Sequence, residues 1–196
     1  MYEYRKMSPE ERQIVLDERR ARGFPYHATP HFKGIEGKYL ITAACFEHKP
    51  IFDSLDLLSL LKDELLSRLS ECVQCKAWVF LPNHYHISLE APDLAIISDV
   101  LRKGHSKIAT KVNGLHSQRG RKVWYRYTDR MIRNEAHYWA TINYIHYNPV
   151  KHGYVDKMSD WPWSSVHEYY ETMGERKLRE LWGNYPVKDY GKGWDW

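Results

Sequence analysis

The spacing of apolar residues predicts alternating strands and helices through the middle of the chain. Leucines three and four positions apart after residue 55 predict an amphipathic helix. Short runs rich in aromatic and β-branched residues, bounded by turn residues, predict strands. In chain order the predicted elements are a strand at 38–46, a helix at 55–69, strands at 75–81 and 84–90, a helix at 96–112 and a strand between 123 and 133.

A further helix is predicted from residue 135 to residue 148. It is expected to stop there because the residue before Pro149 disfavours helical backbone. The order β-α-β-β-α-β is typical of a ferredoxin-like fold, an antiparallel sheet with helices on one face. The predicted fold class is therefore α+β, with the last helix as an addition to that repeat.

The chain divides into three segments by composition. Residues 1–37 are expected to form a helix at 8–22, started by a Ser8–Glu11 capping box, and then an extended arm with several Gly and Pro. Residues 38–170 form the predicted compact domain. Residues 171–196 are a C-terminal tail, and the whole stretch from Trp161 is expected to pack as an irregular cap.

Composition narrows the class of protein. A chain of 196 residues with 43% hydrophobic content can fill one core, and no apolar run reaches the ~20 residues of a membrane span. The N-terminus lacks the apolar stretch of a secretory signal, so a cytoplasmic protein without membrane contact is expected. Cys45, Cys72 and Cys75 are expected to be reduced thiols, because their number is odd and no export signal is expected.

Positive charge is concentrated rather than spread along the chain. The net charge is only +4, but residues 102–126 are rich in Lys and Arg and hold no Asp or Glu. Such a stretch is often a solvated face, yet the missing acids favour binding to phosphates. The candidate DNA-binding residues are Arg102, Lys103, Lys107 and Lys111 on the predicted helix and Arg119, Arg121 and Lys122 in the loop after it.

His84 and His86 lie two positions apart in the third predicted strand. Alternate residues of a strand point to the same face, so both imidazoles project side by side. The pair is an incomplete metal site that needs a third ligand from elsewhere. Two half-buried histidines held by hydrogen bonds would have the same spacing.

The second candidate cluster lies near the end of the last predicted helix. Tyr144 and Asn148 are one turn apart on a shared face. A helix beside the histidine strand would present Asn148 to a metal and Tyr144 to a substrate. Spacing alone does not choose between Tyr144 and Tyr147, and it leaves His146 open as a ligand.

Three blocks of sequence resemble the signatures of the HUH-type single-tyrosine transposases. They are LPNHYHISLEAP, YIHYNPVKHGYV and SDWPWSSVHEY, in that order. The nearest branch is that of the REP-associated tyrosine transposases, and the resemblance runs from about His27 to Tyr169. The histidine motif is weak alone, whereas the three blocks together are specific.

The resemblance implies roles for particular residues. His84, His86 and Asn148 would hold Mg²⁺ or Mn²⁺, and Tyr144 would attack single-stranded DNA beside a hairpin to form a 5′-phosphotyrosine. Some relatives carry Gln at the third ligand, and some build each site from two chains, which leaves a homodimer open. The alternatives are a catalytically inactive DNA-binding regulator on the same scaffold and an RNA-binding ferredoxin-like module. The second lacks an RNP-like segment.

Overall fold

The computed structural model describes residues 7–21 and 36–192. The first helix, α1, spans Pro9–Ala21. Its N-terminus is the predicted capping box: the Ser8 hydroxyl accepts from the Glu11 N–H at 3.1 Å, and the Glu11 carboxylate accepts from the Ser8 N–H at 2.7 Å. The predicted end of this helix and most of the extended arm fall in residues 22–35, outside the described residues.

Four antiparallel strands form the predicted ferredoxin-like sheet. Their order across the sheet is β2-β3-β1-β4, so the two central strands are separated in the sequence by a helix and an edge strand. This order confirms the predicted α+β fold class. The strands are β1 Gly37–Ala44, β2 Gln74–Leu81, β3 His84–Ala91 and β4 Thr128–Ile132.

Helices α2 (Leu55–Ser70) and α3 (Leu94–Leu115) cover one face of this sheet. The Tyr85 side chain of β3 points toward them, and its hydroxyl lies 2.8 Å from His105 Nε2 on α3. The two helices approach closely at Gly104, where an added Cβ would lie 3.0 Å from Leu65 Cδ2. The leucine stripe of α2 is buried in this layer, and each such side chain contributes about 2 kcal/mol.

Helix α4 spans Glu135–Lys151, so the predicted stop at residue 148 is wrong. Pro149 lies in the last turn, where its missing N–H removes one intrahelical bond, to the carbonyl of Ile145. The exposed carbonyls at the end are capped instead, since Asn148 O accepts from His152 N at 3.1 Å and Pro149 O accepts from Tyr154 N at 2.9 Å. Tertiary burial of this turn outweighs the local preference.

Half of the C-terminal region is a helix, which corrects the prediction of an irregular cap. Helix α5 spans Val166–Asn184 and runs across the predicted boundary between residues 170 and 171. Gly174 interrupts it with a φ of 76°. Because of this glycine, the helical spacing of apolar residues on its two sides is not recognisable as one helix in the sequence. The side-chain amide of Asn143 on α4 binds the C-terminal end of α5, since it donates to Leu181 O at 3.2 Å and to Tyr185 O at 2.8 Å.

The DWPWSS segment covers the outer edge of β2. Trp163 O accepts from Phe80 N and Trp78 O accepts from Ser165 N, both at 2.9 Å. The Trp161 indole donates to Phe80 O at 2.9 Å. These bonds satisfy backbone N–H and C=O groups that an edge strand would otherwise leave unpaired. The DWPWSS segment therefore has a structural role.

The cysteines and the helix lengths relate to two features of the composition. The three cysteines are free thiols, and burial raises the pKa of Cys45 to about 12. In the described part of the chain, no helix combines the length and apolar character that crossing a bilayer requires.

Candidate active site

The histidine pair lies on the face of the sheet opposite α2 and α3. His84 and His86 are 2% and 0% exposed, and their ring centroids are 5.1 Å apart. Tyr85 between them points to the other face. The two-residue period of the strand therefore places both imidazoles together, as predicted.

Each imidazole is held through its Nδ1 atom. Asn83 Oδ1 lies 2.7 Å from His84 Nδ1, and Thr42 Oγ1 lies 2.7 Å from His86 Nδ1. Thr42 is the direct cross-strand partner of His86 in the β1–β3 register. The Nε2 atom of each ring consequently faces α4.

Helix α4 brings Tyr144 and Asn148 to those Nε2 atoms. The Tyr144 hydroxyl lies 3.3 Å from His86 Nε2, and Asn148 Oδ1 lies 2.9 Å from His84 Nε2. Tyr147 faces away and packs on Trp182 at a centroid distance of 5.3 Å. The choice between the two tyrosines, which spacing left open, is made by the rotation of α4 over the sheet.

His146 is not part of the cluster. Its Nε2 lies 3.0 Å from Ser165 Oγ, and its ring packs against Tyr169 at 4.8 Å. Burial lowers the pKa of His146 to about 3, so the ring is neutral and serves the packing of the sheet edge.

The residues present fit a divalent cation. Within residues 7–21 and 36–192 no group of three or more His, Cys, Asp or Glu converges, so the donor set is two imidazoles and an amide. The 2.9 Å between His84 Nε2 and Asn148 Oδ1 matches neighbouring donors in an octahedral shell with bonds of about 2.1 Å. Asn148 Nδ2 is buried without a hydrogen-bond partner among the described residues, because the amide turns its oxygen toward His84.

The site includes two further residues, and sequence reasoning missed both of them. Lys151 places its ammonium 5.0 Å from the Tyr144 ring centroid, and the His152 ring lies 4.9 Å from that of His84. Both follow from helical period, since Lys151 is two turns after Tyr144 and His152 is one turn after Asn148. That signal was available in the sequence.

The C-terminal segment covers the tyrosine. The Tyr190 ring lies 5.5 Å from the Tyr144 ring, and its hydroxyl lies 2.9 Å from His137 Nε2. The Gly191 backbone lies directly on the Tyr144 ring, and its carbonyl accepts from Lys151 Nζ at 3.3 Å. Tyr144 is therefore fully buried, and its hydroxyl becomes accessible from solvent only if this segment moves.

Replacing Gly191 by alanine is expected to uncover Tyr144. Gly191 has a φ of +79°, and a Cβ there would overlap the Tyr144 ring, so the segment must move away. We expect faster modification of Tyr144 by a small water-soluble tyrosine-selective reagent, measured as the initial rate of labelling at that residue. Gly183→Ala is the matched control, because its Cβ meets nothing within 4 Å. Equal rates for both variants would show that the cover does not limit access.

The basic residues of α3 are exposed but partly neutralised. Arg102 and Lys103 pair with Asp99 at 2.6 and 2.7 Å. Lys107 and Lys111 reach Glu64 at 2.9 and 3.8 Å. Asp99, one turn earlier on the same helix, and Glu64 on α2 therefore supply the countercharge that residues 102–126 lack.

The loop after α3 differs from the helix. Arg121 donates to Asn113 Oδ1 at 2.9 Å, and the Lys122 ammonium lies 4.5 Å from the Phe46 ring centroid. Arg119 is exposed and forms no ion pair with a residue of the described ranges. The loop thus keeps more of its positive charge available than the helix does.

Comparison with known proteins agrees with this fold. A solved structure titled as a REP-associated tyrosine transposase bound to a REP hairpin superposes with a TM-score of 0.56 at 24% identity, over 82% of this chain and 88% of the other. That likeness supports the fold alone, an α+β domain with a four-stranded antiparallel sheet. No family model matches the chain.

Two curated proteins are similar in sequence. The REP-associated tyrosine transposase of Escherichia coli is 35% identical over 95 residues, which is 48% of this chain and 54% of that protein. A Haemophilus influenzae protein described under the same family name is 31% identical over 116 residues, 54% of this chain and 64% of that protein. The matches thus span between half and two thirds of the relatives. The chain is similar to REP-associated tyrosine transposases over these regions, which confirms the resemblance carried by the three sequence blocks.

Proposed function

We propose that this protein is a metal-dependent DNA strand transferase, which cleaves and rejoins single-stranded DNA beside a hairpin through a tyrosine–DNA bond. The observation that carries the proposal is the position of the Tyr144 hydroxyl, 3.3 Å from His86 Nε2, beside the facing pair His84 Nε2 and Asn148 Oδ1. A nucleophile and a set of metal donors are thus held on two rigid elements.

Tyr144 is the proposed nucleophile. A phenol is a modest nucleophile because its ordinary pKa is near 10, so attack needs positive charge nearby. Bound Mg²⁺ or Mn²⁺ would polarise the scissile phosphate and stabilise charge in the transition state. His84, His86 and Asn148 would hold it. The Lys151 ammonium, 5.0 Å from the Tyr144 ring centroid, favours negative charge developing at the same place.

The reaction exchanges one phosphodiester for another. The Tyr144 oxygen forms a bond to the phosphorus as the bond from phosphorus to the 3′-oxygen breaks. The phenol gives up its proton to water, because the lone pair of His86 Nε2 would be committed to the metal, and the departing 3′-oxygen takes up a proton from water. Attack by a 3′-hydroxyl reverses the step, so no nucleotide cofactor is needed.

DNA is the proposed partner on two grounds. The relatives are named as transposases, and the matched structure is titled as bound to a REP hairpin. The exposed cations of α3 and the following loop supply the charge that binding a phosphate backbone requires. Tyr144 lies beside the histidines of its own chain. The proposed site therefore does not need a homodimer in which two chains exchange their tyrosine helices.

A covalent trapping assay tests this proposal. The protein is incubated with labelled single-stranded DNA carrying a hairpin and with Mn²⁺ or Mg²⁺, and the products are separated in SDS. The expected result is an SDS-resistant adduct together with a fragment ending in a 3′-hydroxyl, both abolished by EDTA. Tight binding to several hairpins without adduct would contradict the proposal and favour a DNA-binding regulator on the same scaffold.

The loop cations are expected to contribute more to DNA binding than the helix cations. Because Lys107 and Lys111 already face Glu64, the double variant Lys107→Gln/Lys111→Gln should weaken binding only slightly. Arg119→Gln/Lys122→Gln should weaken it more and should lower the slope of log K against log salt by about 0.9 per lost phosphate contact in the duplex stem. The measurement is a salt titration of hairpin affinity. A larger loss in the helix variant would reverse this assignment.

A further inference from the structure

We infer that Asn83 is a positioning residue that keeps His84 in the tautomer with the proton on Nδ1, so that the Nε2 lone pair faces α4. This inference rests on the metal site of the proposed function. Asn83 precedes the histidine pair in the turn between β2 and β3. Its role follows from the direction in which its side-chain amide is held.

The backbone around it fixes the orientation of the Asn83 amide. Asn83 Nδ2 donates to the carbonyl of His48 at 3.4 Å, a group that can only accept. The amide oxygen therefore points the other way, 2.7 Å from His84 Nδ1. Asn83 is itself anchored, because its carbonyl accepts from Cys45 N at 2.7 Å. An amide oxygen has no proton to give, so His84 Nδ1 must be the donor.

With the proton on Nδ1, His84 Nε2 is an acceptor. It faces Asn148 Oδ1 at 2.9 Å, so two lone pairs meet in a buried site that lacks a proton between them. His84 Nε2 and Asn148 Oδ1 would together hold a cation, which would relieve the repulsion and would offset the amide orientation that leaves Asn148 Nδ2 unbonded. The opposite tautomer would donate to Asn148 Oδ1 and would close the site to a metal.

Thr42 holds His86 less strictly. A threonine hydroxyl donates as well as accepts, so its 2.7 Å contact with His86 Nδ1 permits either tautomer. The Tyr144 hydroxyl, 3.3 Å from His86 Nε2, favours the tautomer with the proton on Nδ1 when it donates. The two histidines thus have different controls, a fixed acceptor for His84 and an adaptable hydroxyl for His86. This contrast supplies an internal comparison.

The test measures tautomers and metal binding separately. Long-range ¹H–¹⁵N spectra of the metal-free protein report which nitrogen of each histidine carries the proton, and calorimetric titration with Mn²⁺ reports affinity. Asn83→Ala removes the acceptor, and its backbone is outside the left-handed region, so alanine fits there. Asn83→Asp keeps an oxygen acceptor. Thr42→Val removes the contact to His86 instead.

We expect Asn83→Ala to mix the two His84 tautomers, to leave His86 unchanged and to weaken Mn²⁺ binding by about 10- to 100-fold. Asn83→Asp should retain the tautomer with the proton on Nδ1 and bind Mn²⁺ as tightly as the wild type or more tightly. Thr42→Val should alter the spectrum of His86 alone. Thermal unfolding of each variant shows whether the turn itself is intact.

Two results would overturn the inference. One is an Asn83→Ala protein with the wild-type His84 spectrum and wild-type affinity. The other is an Asn83→Asp protein that loses affinity as fully as Asn83→Ala, which would make the amide a structural group only. Failure of the proposed function looks different, because a wild-type protein that binds no Mn²⁺ contradicts the metal site while the tautomer spectra still decide the role of Asn83.

Discussion

Tyr144→Phe is expected to abolish the covalent protein–DNA adduct while leaving hairpin affinity unchanged. The substitution removes only the hydroxyl, whose contact is His86 Nε2 at 3.3 Å. The ring still packs against His86 and Tyr190, at centroid distances of 5.0 and 5.5 Å. The fold is thus retained, and the loss isolates the nucleophile.

Tyr147→Phe is the matched control for that experiment. Tyr147 is in the same helix, but its ring packs on Trp182 away from the histidines. Adduct yield should equal that of the wild type. An adduct that survives Tyr144→Phe and disappears in Tyr147→Phe would exchange the two roles. An adduct that survives both would require a nucleophile elsewhere. Quantification in SDS gels and a binding titration on the same DNA complete the comparison.

Asn148→Leu is expected to separate stability from function. The Asn148 amide is fully buried, and its Nδ2 has no hydrogen-bond partner within the described residues. A leucine of similar size removes this unsatisfied group, so the free energy of unfolding should stay equal or rise by about 1 kcal/mol. Mn²⁺ affinity and adduct yield should both fall sharply, because one of the three proposed donors is lost.

Asn148→Gln is the companion variant, since it keeps an amide but moves its oxygen by one methylene. It should recover part of the Mn²⁺ affinity if ligation matters and none if Asn148 only fills space. Calorimetric metal titration and chemical denaturation measure the two quantities independently. A clear fall in stability for Asn148→Leu with unchanged metal affinity would show that Asn148 serves packing instead.

Local patterns were sufficient for the elements that make the sheet. Period two in β3 placed His84 and His86 on one face, and leucine spacing found α2. The capping box at Ser8 marked the start of α1. Local patterns failed at Pro149 and in α5. In each case a long-range contact outweighs a local preference. At Pro149 the contact is the burial of Asn148 against His84, and in α5 it is the hydrogen bond from the Asn143 amide to Leu181 O.

The histidine pair, the candidate tyrosines and the α+β order of elements were determined by the sequence alone, because side-chain periods within one strand or helix are local. Which tyrosine meets the histidines was decided only by the tertiary structure, since it depends on how α4 is rotated over the sheet. The cover of Tyr144 by Gly191 is likewise tertiary, because it joins residues 47 positions apart. The countercharge on Lys107 is tertiary for the same reason, since Glu64 lies on a different helix, whereas Asp99 pairs with Lys103 within α3.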